Sequence, residues 1–442
     1  METLDASVIA TALPALAADF NVTVVGVSLS VTAYLVAMAI FVPAAGWCAD
    51  RFGARRVFAA AVGLFTLASL LCGLAPSLWT LVAARVLQGA AAAFMSPVGR
   101  IVVLRETPRA RLIESMAMIT WPGLIGPVIG PPLGGLIVTY VSWRWIFLLN
   151  VPIGLLGMWL ILRYLPRDRA TLRRPFDFKG FVLTAVALAA LIQGLTHLGE
   201  RQDGRLAGLA MVVVGLVCGM VSVRHALRAP APMLDLRAAR VRTFRLVTLT
   251  AGFAARLAIN VAPFLLPLMF QVGFGMSPLA AGSMVLFYMA GNLAMKSATT
   301  WLLRRFGFRR VLVASCFAGS ATLYACGGLS PGDPIVVMHA VLFAAGLARS
   351  LTFTVVSTLA YADVADDERA GASTLATMVQ LVSMTLGVAL AVFMLGASQA
   401  WHGGGALELA DFRFAWFVSG TLMLLAALGT LRLSRDAGAS VA

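Results

Sequence analysis

Two copies of a short basic segment, DRFGARRV at residues 50–57 and RRFGFRRV at residues 304–311, decide how the chain is organised. Each copy ends one apolar stretch and begins the next, and Gly53 and Gly307 are 254 residues apart. A duplicated unit of six membrane helices would repeat after about 190 to 200 residues at ordinary helix and loop lengths. The excess of about 60 residues is the length of two further helices with their loops. The repeat therefore predicts six helices, then two, then six.

The composition shows that lipid, not water, surrounds most of this chain. Of the 442 residues, 60% are hydrophobic and 12% are charged, and the mean hydropathy is +0.91. So few charges cannot cover a water-soluble protein of this size. Apolar stretches of about 18 to 25 residues recur, the length of a helix that crosses about 30 Å of hydrocarbon. The predicted fold is an all-α integral membrane protein with about fourteen spans, at residues 1–18, 26–48, 57–75, 79–103, 112–140, 145–165, 178–197, 206–223, 244–270, 279–303, 311–329, 335–359, 371–397 and 412–431.

Two basic linkers divide these spans into domains. We predict a six-helix bundle at residues 1–165, linkers with two additional helices at 166–243, a second six-helix bundle at 244–433 and a tail at 434–442. The first span contains Glu2 and Asp5 and offers only about 18 residues to the membrane. We interpret it as an N-terminally shortened helix whose natural start lies upstream. A short, tilted first helix is the alternative.

The positive charges sit in alternate loops. The net charge is +15, and 26 of the 34 Lys and Arg residues fall on the side that holds Arg51, Arg55 and Arg56. This bias is typical of cytoplasmic loops, so membrane topology explains the basicity and we expect no nucleic-acid partner. The five cysteines lack the spacing of metal ligands, so we expect packing residues and no cofactor.

The first copy of the repeat carries a candidate gate. Its functional residues are Gly46, Asp50, Arg51, Gly53, Arg55 and Arg56. Gly46 permits close helix packing, Gly53 permits the turn, and the arginines hold the loop in the cytoplasm. Asp50 can pair with an arginine or a helix N-terminus, a contact that breaks when the two halves rock. A solvated turn would explain the arginines but not the acid. In the second copy of the repeat, Arg304 stands at the position equivalent to Asp50. The gate contact is therefore predicted for the first bundle only.

The segment LVAARVLQGA at residues 81–90 places Arg85 inside hydrocarbon. A charge there costs at least about 2.5 kcal/mol and indicates a functional site. Gln88 lies one helical turn away, and Asp5 is the carboxylate deep enough to be the partner of Arg85. Burial favours the neutral form of a carboxyl group while a guanidinium favours the charged form, so a pair whose distance changes can load and release a proton. We predict Asp5 and Arg85 as the proton-coupling residues; a static buried ion pair is the alternative.

The segment GPVIGPPLGG at residues 126–135 combines three prolines and four glycines in one span. Prolines kink a helix, and glycines let another helix approach closely. The segment predicts a bent, close-packed hinge rather than ordinary packing, with Gly126, Pro127, Gly130, Pro131, Gly134 and Gly135 as its residues.

Other polar residues in the spans carry weaker predictions. Arg256 and Asn260, four residues apart, are predicted to line a cavity together with Gln88. Lys296 lies near enough to a helix end to snorkel, and the role of Arg349 stays open. His339 is interpreted as an interfacial residue.

With these residues in view, the chain resembles the major facilitator superfamily, specifically its fourteen-span drug:proton antiporter branch. The resemblance covers essentially the whole length. It rests on LDASVIATALP at 4–14, the Asp50 loop, the Arg85 segment, the segment at 126–135 and WRWIFLLNVPIG at 143–154; several stretches are similar to MdtD-type transporters of proteobacteria. Family members carry a dozen or more apolar residues before the first-helix aspartate, and this chain departs from that pattern. The resemblance implies two six-helix bundles plus two helices and proton coupling through Asp5 and Arg85. It also implies a cytoplasmic gate at Asp50 and Arg51 and an antiporter hinge at 126–135.

The functional prediction is a proton-coupled exporter of hydrophobic or amphipathic small molecules, monomeric, in the bilayer of a bacterial inner membrane. An exporter of one endogenous metabolite and a non-transporting scaffold or sensor remain alternatives. An enzyme is not expected, because no span carries HExxH, GxSxG or paired histidines.

Overall fold

The structure, a computed structural model, describes residues 1–106, 112–165, 175–198, 205–230, 232–365, 368–403, 405–434 and 437–438. Within them fourteen long helical segments follow one another, and we number these α1 to α14. The first six are α1 (Glu2–Asp19), α2 (Val24–Phe41), α3 (Ala54–Gly73), α4 (Leu78–Glu106), α5 (Leu112–Tyr140) and α6 (Arg144–Tyr164). Two follow, α7 (Phe178–Leu198) and α8 (Arg205–Ala226). The last six are α9 (Arg242–Gly273), α10 (Pro278–Phe306), α11 (Phe308–Gly328), α12 (Ile335–Ala362), α13 (Arg369–Trp401) and α14 (Leu409–Thr430).

Twelve helices of the described chain are long and apolar enough to cross a membrane. The other two of the predicted fourteen differ for identifiable reasons. Helix α1 carries Glu2, Asp5 and Asp19 within 18 residues, and the apolar stretch described for α5 is Ile125–Tyr140. The predicted order of six, two and six helices is confirmed. Most of the first predicted linker, residues 166–174, and most of the predicted tail lie outside the described residues.

The two copies of the repeat fold alike. Gly53 and Gly307 both adopt a positive φ, 90° and 77°, where each joins two helices. Arg55 donates from Nη2 to the carbonyl of Leu162 at the end of α6 (2.6 Å), and Arg309 donates from Nη2 to Leu431 at the end of α14 (2.9 Å). An arginine at a helix C-terminus satisfies free carbonyls and complements the helix dipole. In each copy an arginine side chain therefore binds the loop to the end of the last helix in the same bundle.

The two bundles meet closely on the side opposite the basic loops. A Cβ atom on Gly135 of α5 would collide with the backbone of Pro278 and Leu279 in α10, and one on Gly282 would collide with the backbone of Pro131. Gln271 of α9 also donates to the carbonyl of Thr11 (3.0 Å). Among the described residues, backbone contact of this kind brings the two bundles together and closes this side of the protein.

Helices α7 and α8 form a hairpin beside the bundles. Gly194 and Gly208 lie against each other's backbone, and the hydroxyls of Thr184 and Ser222 share a hydrogen bond of 2.8 Å. Helix α8 exposes most of its apolar surface, with Leu206 84% exposed. An apolar face of that kind is stable in contact with lipid tails.

Candidate functional site

Asp5 and Arg85 form an ion pair in the interior of the first bundle. Arg85 donates from Nη1 to Oδ2 of Asp5 at 2.5 Å, and both side chains are fully buried. Since Arg85 is seven residues from Leu78, the pair lies about 11 Å from that end of α4, in the half of the bundle away from the basic loops. The structure thus brings together the two residues predicted for proton coupling.

Two amides complete the surroundings of the Asp5 carboxylate. Gln88 and Asn150 each donate from their side-chain nitrogen to Oδ1 at 3.1 Å. Gln88 also donates to Oγ of Ser69 (2.8 Å) and accepts from Nη1 of Arg85 (2.7 Å). One guanidinium and two neutral amides therefore bind the same carboxyl group. Sequence reasoning missed Asn150, although a single amide in the apolar run of α6 is itself a signal of function.

The ring of Tyr34 contacts this network and also lines the large central cavity. The guanidinium of Arg85 lies 4.1 Å from the centroid of the ring. The Tyr34 hydroxyl is buried without a hydrogen-bond partner among the described residues, and so is Nη2 of Arg85. Tyr34 therefore links the ion pair to the cavity wall.

The cavity between the bundles has a volume of about 1580 Å³ and opens toward the basic loops. Trp47, Asp177 and Arg240 lie on its wall near the basic loops, while Tyr34 and Met289 lie on its wall deeper between the bundles. Because α5 and α10 close the opposite side, the part of the chain that the structure describes is open on the basic side. A volume above the usual range for a drug-sized ligand leaves room for substrates of different shapes.

The three residues predicted to line this cavity do not line it, so that prediction is wrong for this conformation. Gln88 is fully buried in the Asp5 network, and Arg256 is 2% exposed within the second bundle. Asn260 packs against Gly387 of α13. All three therefore lie within a bundle in this conformation, and Nε and Nη1 of Arg256 are buried there without a hydrogen-bond partner among the described residues.

Of the predicted gate residues, Gly53 makes the turn, but Gly46 differs from its prediction. Gly46 lies on the cavity wall, and a Cβ atom there would meet nothing within 4 Å, so it is not closely packed in this conformation. Asp50 is half-buried and Arg51 is exposed in the last turn of the helix Ala44–Phe52, and Arg56 is exposed as well. A gate role for these residues stays a prediction.

The glycines predicted for the hinge do pack closely. Gly126, Gly130 and Gly134 follow one another at four-residue intervals, and a Cβ atom on any of them would come within 3 Å of α1, at Thr3, Ser7 and Thr11 respectively. Helix α5 runs without interruption through Pro127 and Pro131. Close packing against the helix that carries Asp5 links this segment to the ion pair; its role as a hinge stays a prediction.

Further charged residues reach the cavity. Lys296 and Arg349 line its wall on the second bundle, and Glu2 lines its wall on the first. Sequence reasoning left Lys296 open between snorkelling and function, and passed over Glu2 because it stands at the start of α1. His339 stacks on the ring of Phe287, with ring centroids 3.6 Å apart, near the closed side.

Two six-helix bundles around a cavity open on one side define a secondary transporter of small molecules, not an enzyme. The family model of the Major Facilitator Superfamily matches residues 1–388 and again residues 248–441, and the chain belongs to this superfamily. A relative named "Putative multidrug resistance protein MdtD", from Escherichia coli O6:H1 (strain CFT073), is 35% identical over 445 residues, which is 100% of this chain and 94% of the relative. A relative of the same name from Citrobacter koseri is 35% identical and covers 99% of this chain and 93% of its own length.

Solved transporter structures share the fold. A structure titled as an auto inhibited POT family peptide transporter superimposes with a TM-score of 0.68 at 14% identity, covering 98% of this chain and 96% of that chain. A structure of a D-xylose-proton symporter gives a TM-score of 0.66 at 15% identity, covering 98% and 95%. At such low identity these likenesses show the fold alone.

Proposed function

We propose that this protein is a proton-driven exporter of hydrophobic or amphipathic small molecules in a bacterial inner membrane, acting as a monomer in the bilayer. The observation that carries the proposal is the buried pair of Asp5 and Arg85, one side chain away from a large cavity. By the positive-inside rule the basic side faces the cytoplasm, so the cavity opens inward. The names of the relatives support multidrug efflux as the activity.

The contacts of Asp5 support a direction for the cycle. With the cavity open inward, Asp5 is paired with Arg85 and receives two amide hydrogen bonds. In an outward-open state a proton from outside would bind Asp5 and weaken its bond to Arg85. Proton entry and substrate exit would then share one conformational cycle, as antiport requires.

In this proposal the segment around Asp50 and helix α5 take part in the change between the inward-open and outward-open conformations. Gly46 has open space beside it while the cavity faces inward, so another helix can approach there when this side closes. The α5 glycines hold α1 and α10 against α5 on the opposite side. Opening of that side would separate α5 from α10 while α1 stays attached.

Transport in vesicles tests the proposal. Purified protein in liposomes is given a pH gradient with the acidic side opposite the cavity mouth, and uptake of N-phenyl-1-naphthylamine and of 8-anilinonaphthalene-1-sulfonate is followed by fluorescence. We expect Asp5→Asn to abolish uptake driven by the gradient, because a neutral side chain cannot carry the proton. The matched control is Asp19→Asn, the same change at the exposed end of α1, where Asp19 pairs with Arg144 at 2.8 Å.

The outcomes separate the alternatives. Undiminished gradient-driven uptake by the Asp5→Asn variant would contradict coupling through Asp5. Uptake that survives collapse of the gradient would indicate facilitated diffusion. A wild-type protein that moves neither dye and binds neither would favour a scaffold or sensor.

A further inference from the structure

Two cations lie deep in the cavity wall of the second bundle. Lys296 is ten residues from Phe306 at the basic end of α10, and Arg349 is thirteen residues from Ala362 at the basic end of α12. At 1.5 Å per residue these positions are about 15 Å and 20 Å from the helix ends. Charged side chains at such depth are costly, so they are retained for a function or neutralised by a partner.

No partner neutralises them among the described residues. Neither side chain has a carboxylate within 4.0 Å there, and Arg349 is close enough for its positive charge to act on Lys296. Lys296 donates from Nζ to the hydroxyl of Thr354 at 2.9 Å, a neutral contact. The Nε atom of Arg349 is buried without an acceptor, and the guanidinium lies 5.8 Å from the centroid of the Tyr288 ring. Two adjacent cations with unused donors form a site that lacks an anion.

The packing of α10 against α12 explains why the two cations are adjacent. Gly291 and Gly346 let the two backbones touch, since a Cβ atom on either would collide with a carbonyl of the other helix. The backbone nitrogen of Asn292 lies beside Gly346, and the Asn292 side chain lines the cavity. One turn further along these helices the wall presents Lys296 and Arg349. The two cations therefore lie one helical turn from the close backbone contact of Gly291 and Gly346, and Asn292 lines the same cavity.

The carboxylates of the cavity wall do not pair with the two cations. Asp177 is bound to His225 (2.8 Å), and Asp235 to Arg237 (2.7 Å), both near the basic loops. Glu2 lies on the wall of the first bundle, where its Oε2 is buried without a hydrogen-bond partner among the described residues. Five basic and three acidic residues line the cavity, so its net charge is positive. A cationic substrate would meet repulsion at the second bundle, and an anionic one would meet attraction.

Apolar side chains line the same cavity as the two cations. The cavity wall includes Met38, Met289, Leu293, Leu381 and Met384. Methionine and leucine side chains adapt to ligands of different shapes. We infer that Lys296 and Arg349 bind the carboxylate or sulfonate of amphipathic anions whose apolar body lies on these residues. This inference rests on the proposed function and names the substrate class that the cavity takes.

A pair of dyes that differ by one anionic group tests the inference. N-phenyl-1-naphthylamine is the neutral analogue of 8-anilinonaphthalene-1-sulfonate. In liposomes with a pH gradient, we expect the wild-type protein to transport both dyes. Lys296→Gln and Arg349→Gln should each lower sulfonate transport by at least about tenfold, the loss of one charge-assisted hydrogen bond. Transport of the neutral dye should stay within about twofold of wild type, which also shows that the variants fold.

Two variants control for charge and for size. Arg305→Gln removes an exposed cation from the basic end of α10 and should leave transport of both dyes unchanged. Lys296→Arg keeps the charge and should restore most sulfonate transport. Equal loss of both dyes in the Gln variants, or a wild-type protein that moves the neutral dye but not the sulfonate, would overturn the inference.

A binding measurement separates this inference from the proposed function. Thermal unfolding of the purified protein is followed with decanoate and with decyltrimethylammonium, which share a ten-carbon chain. Stabilisation by decanoate alone, lost in Arg349→Gln, would support the anion site even if no gradient drives transport. Absence of any preference for decanoate would overturn the inference, whatever the transport assays show.

Discussion

At the scale of single residues, three donors bind the Asp5 carboxylate. Arg85 binds one oxygen, and the amides of Gln88 and Asn150 bind the other. Hydrogen bonds to the remaining atoms of a buried ion pair offset the cost of removing its charges from water. Asn150 therefore helps to hold the pair together, although it lies 145 residues from Asp5 in sequence.

Replacing that amide should slow gradient-driven transport. In Asn150→Leu the carboxylate of Asp5 loses one of its hydrogen-bond donors. The loss of one buried hydrogen bond costs about 1 kcal/mol, so the rate of transport in liposomes should fall by about fivefold. Asn260→Leu, an amide of α9 outside the network, should leave the rate unchanged; an undiminished rate for Asn150→Leu would contradict this role.

At the scale of secondary-structure elements, Asp177 joins three parts of the chain near the basic side. Its Oδ1 accepts from the backbone nitrogen of Gly180 in the first turn of α7 (2.9 Å) and pairs with His225 near the end of α8. Its Oδ2 accepts from the backbone nitrogen of Met233 in the following linker (3.1 Å). Partial burial raises the pKa of Asp177, but these hydrogen bonds outweigh it and leave the pKa below its ordinary value of 3.8.

Removing this carboxylate should loosen the α7–α8 hairpin. Asp177→Ala deletes a helix cap and two further bonds, a loss of about 1 to 3 kcal/mol that lowers the unfolding temperature. Because the pKa of Asp177 is lowered in the folded protein, the stabilisation is present at neutral pH and disappears as the pH falls through that lowered value. Thermal unfolding at pH 7 and below pH 3.8 checks the sign.

The control for this change is Asp235→Ala. The carboxylate of Asp235 binds Arg237, two residues away, and Arg237 is 55% exposed, so its removal should cost less. Equal losses for the two variants, or a difference between Asp177→Ala and wild type that does not shrink in acid, would contradict the proposed role of Asp177.

At the scale of the whole molecule, two glycines lie on opposite sides of the protein, one on the closed side and one on the open side. Gly282 of α10 touches the backbone of Pro131 on the closed side, whereas Gly46 has open space beside it on the open side. A side chain at the first position obstructs the conformation seen here. A side chain at the second position obstructs the conformation that closes the basic side.

The two valine variants should therefore trap opposite states. A cysteine introduced at Thr377, on the cavity wall, in a protein without its five native cysteines, reports access from the basic side. We expect Gly282→Val to slow labelling of this cysteine by a maleimide and Gly46→Val to keep it fast, while both abolish transport. Gly328→Val is the control, since a Cβ atom there meets nothing within 4 Å. Equal labelling in both variants would contradict the assignment.

The sequence by itself determined the class of fold and the order of its helices, because apolar length, the basic loops and the repeat are local patterns. The sequence also predicted that Asp5 pairs with Arg85, because a charged side chain in hydrocarbon needs a partner of opposite charge. Only the tertiary structure showed that Asn150 completes their network, that Arg256 and Asn260 pack within a bundle, and that Lys296 and Arg349 share a cavity wall. Which face of a membrane helix meets the cavity depends on its rotation against neighbouring helices. In an almost uniformly apolar helix no sequence period reports that rotation.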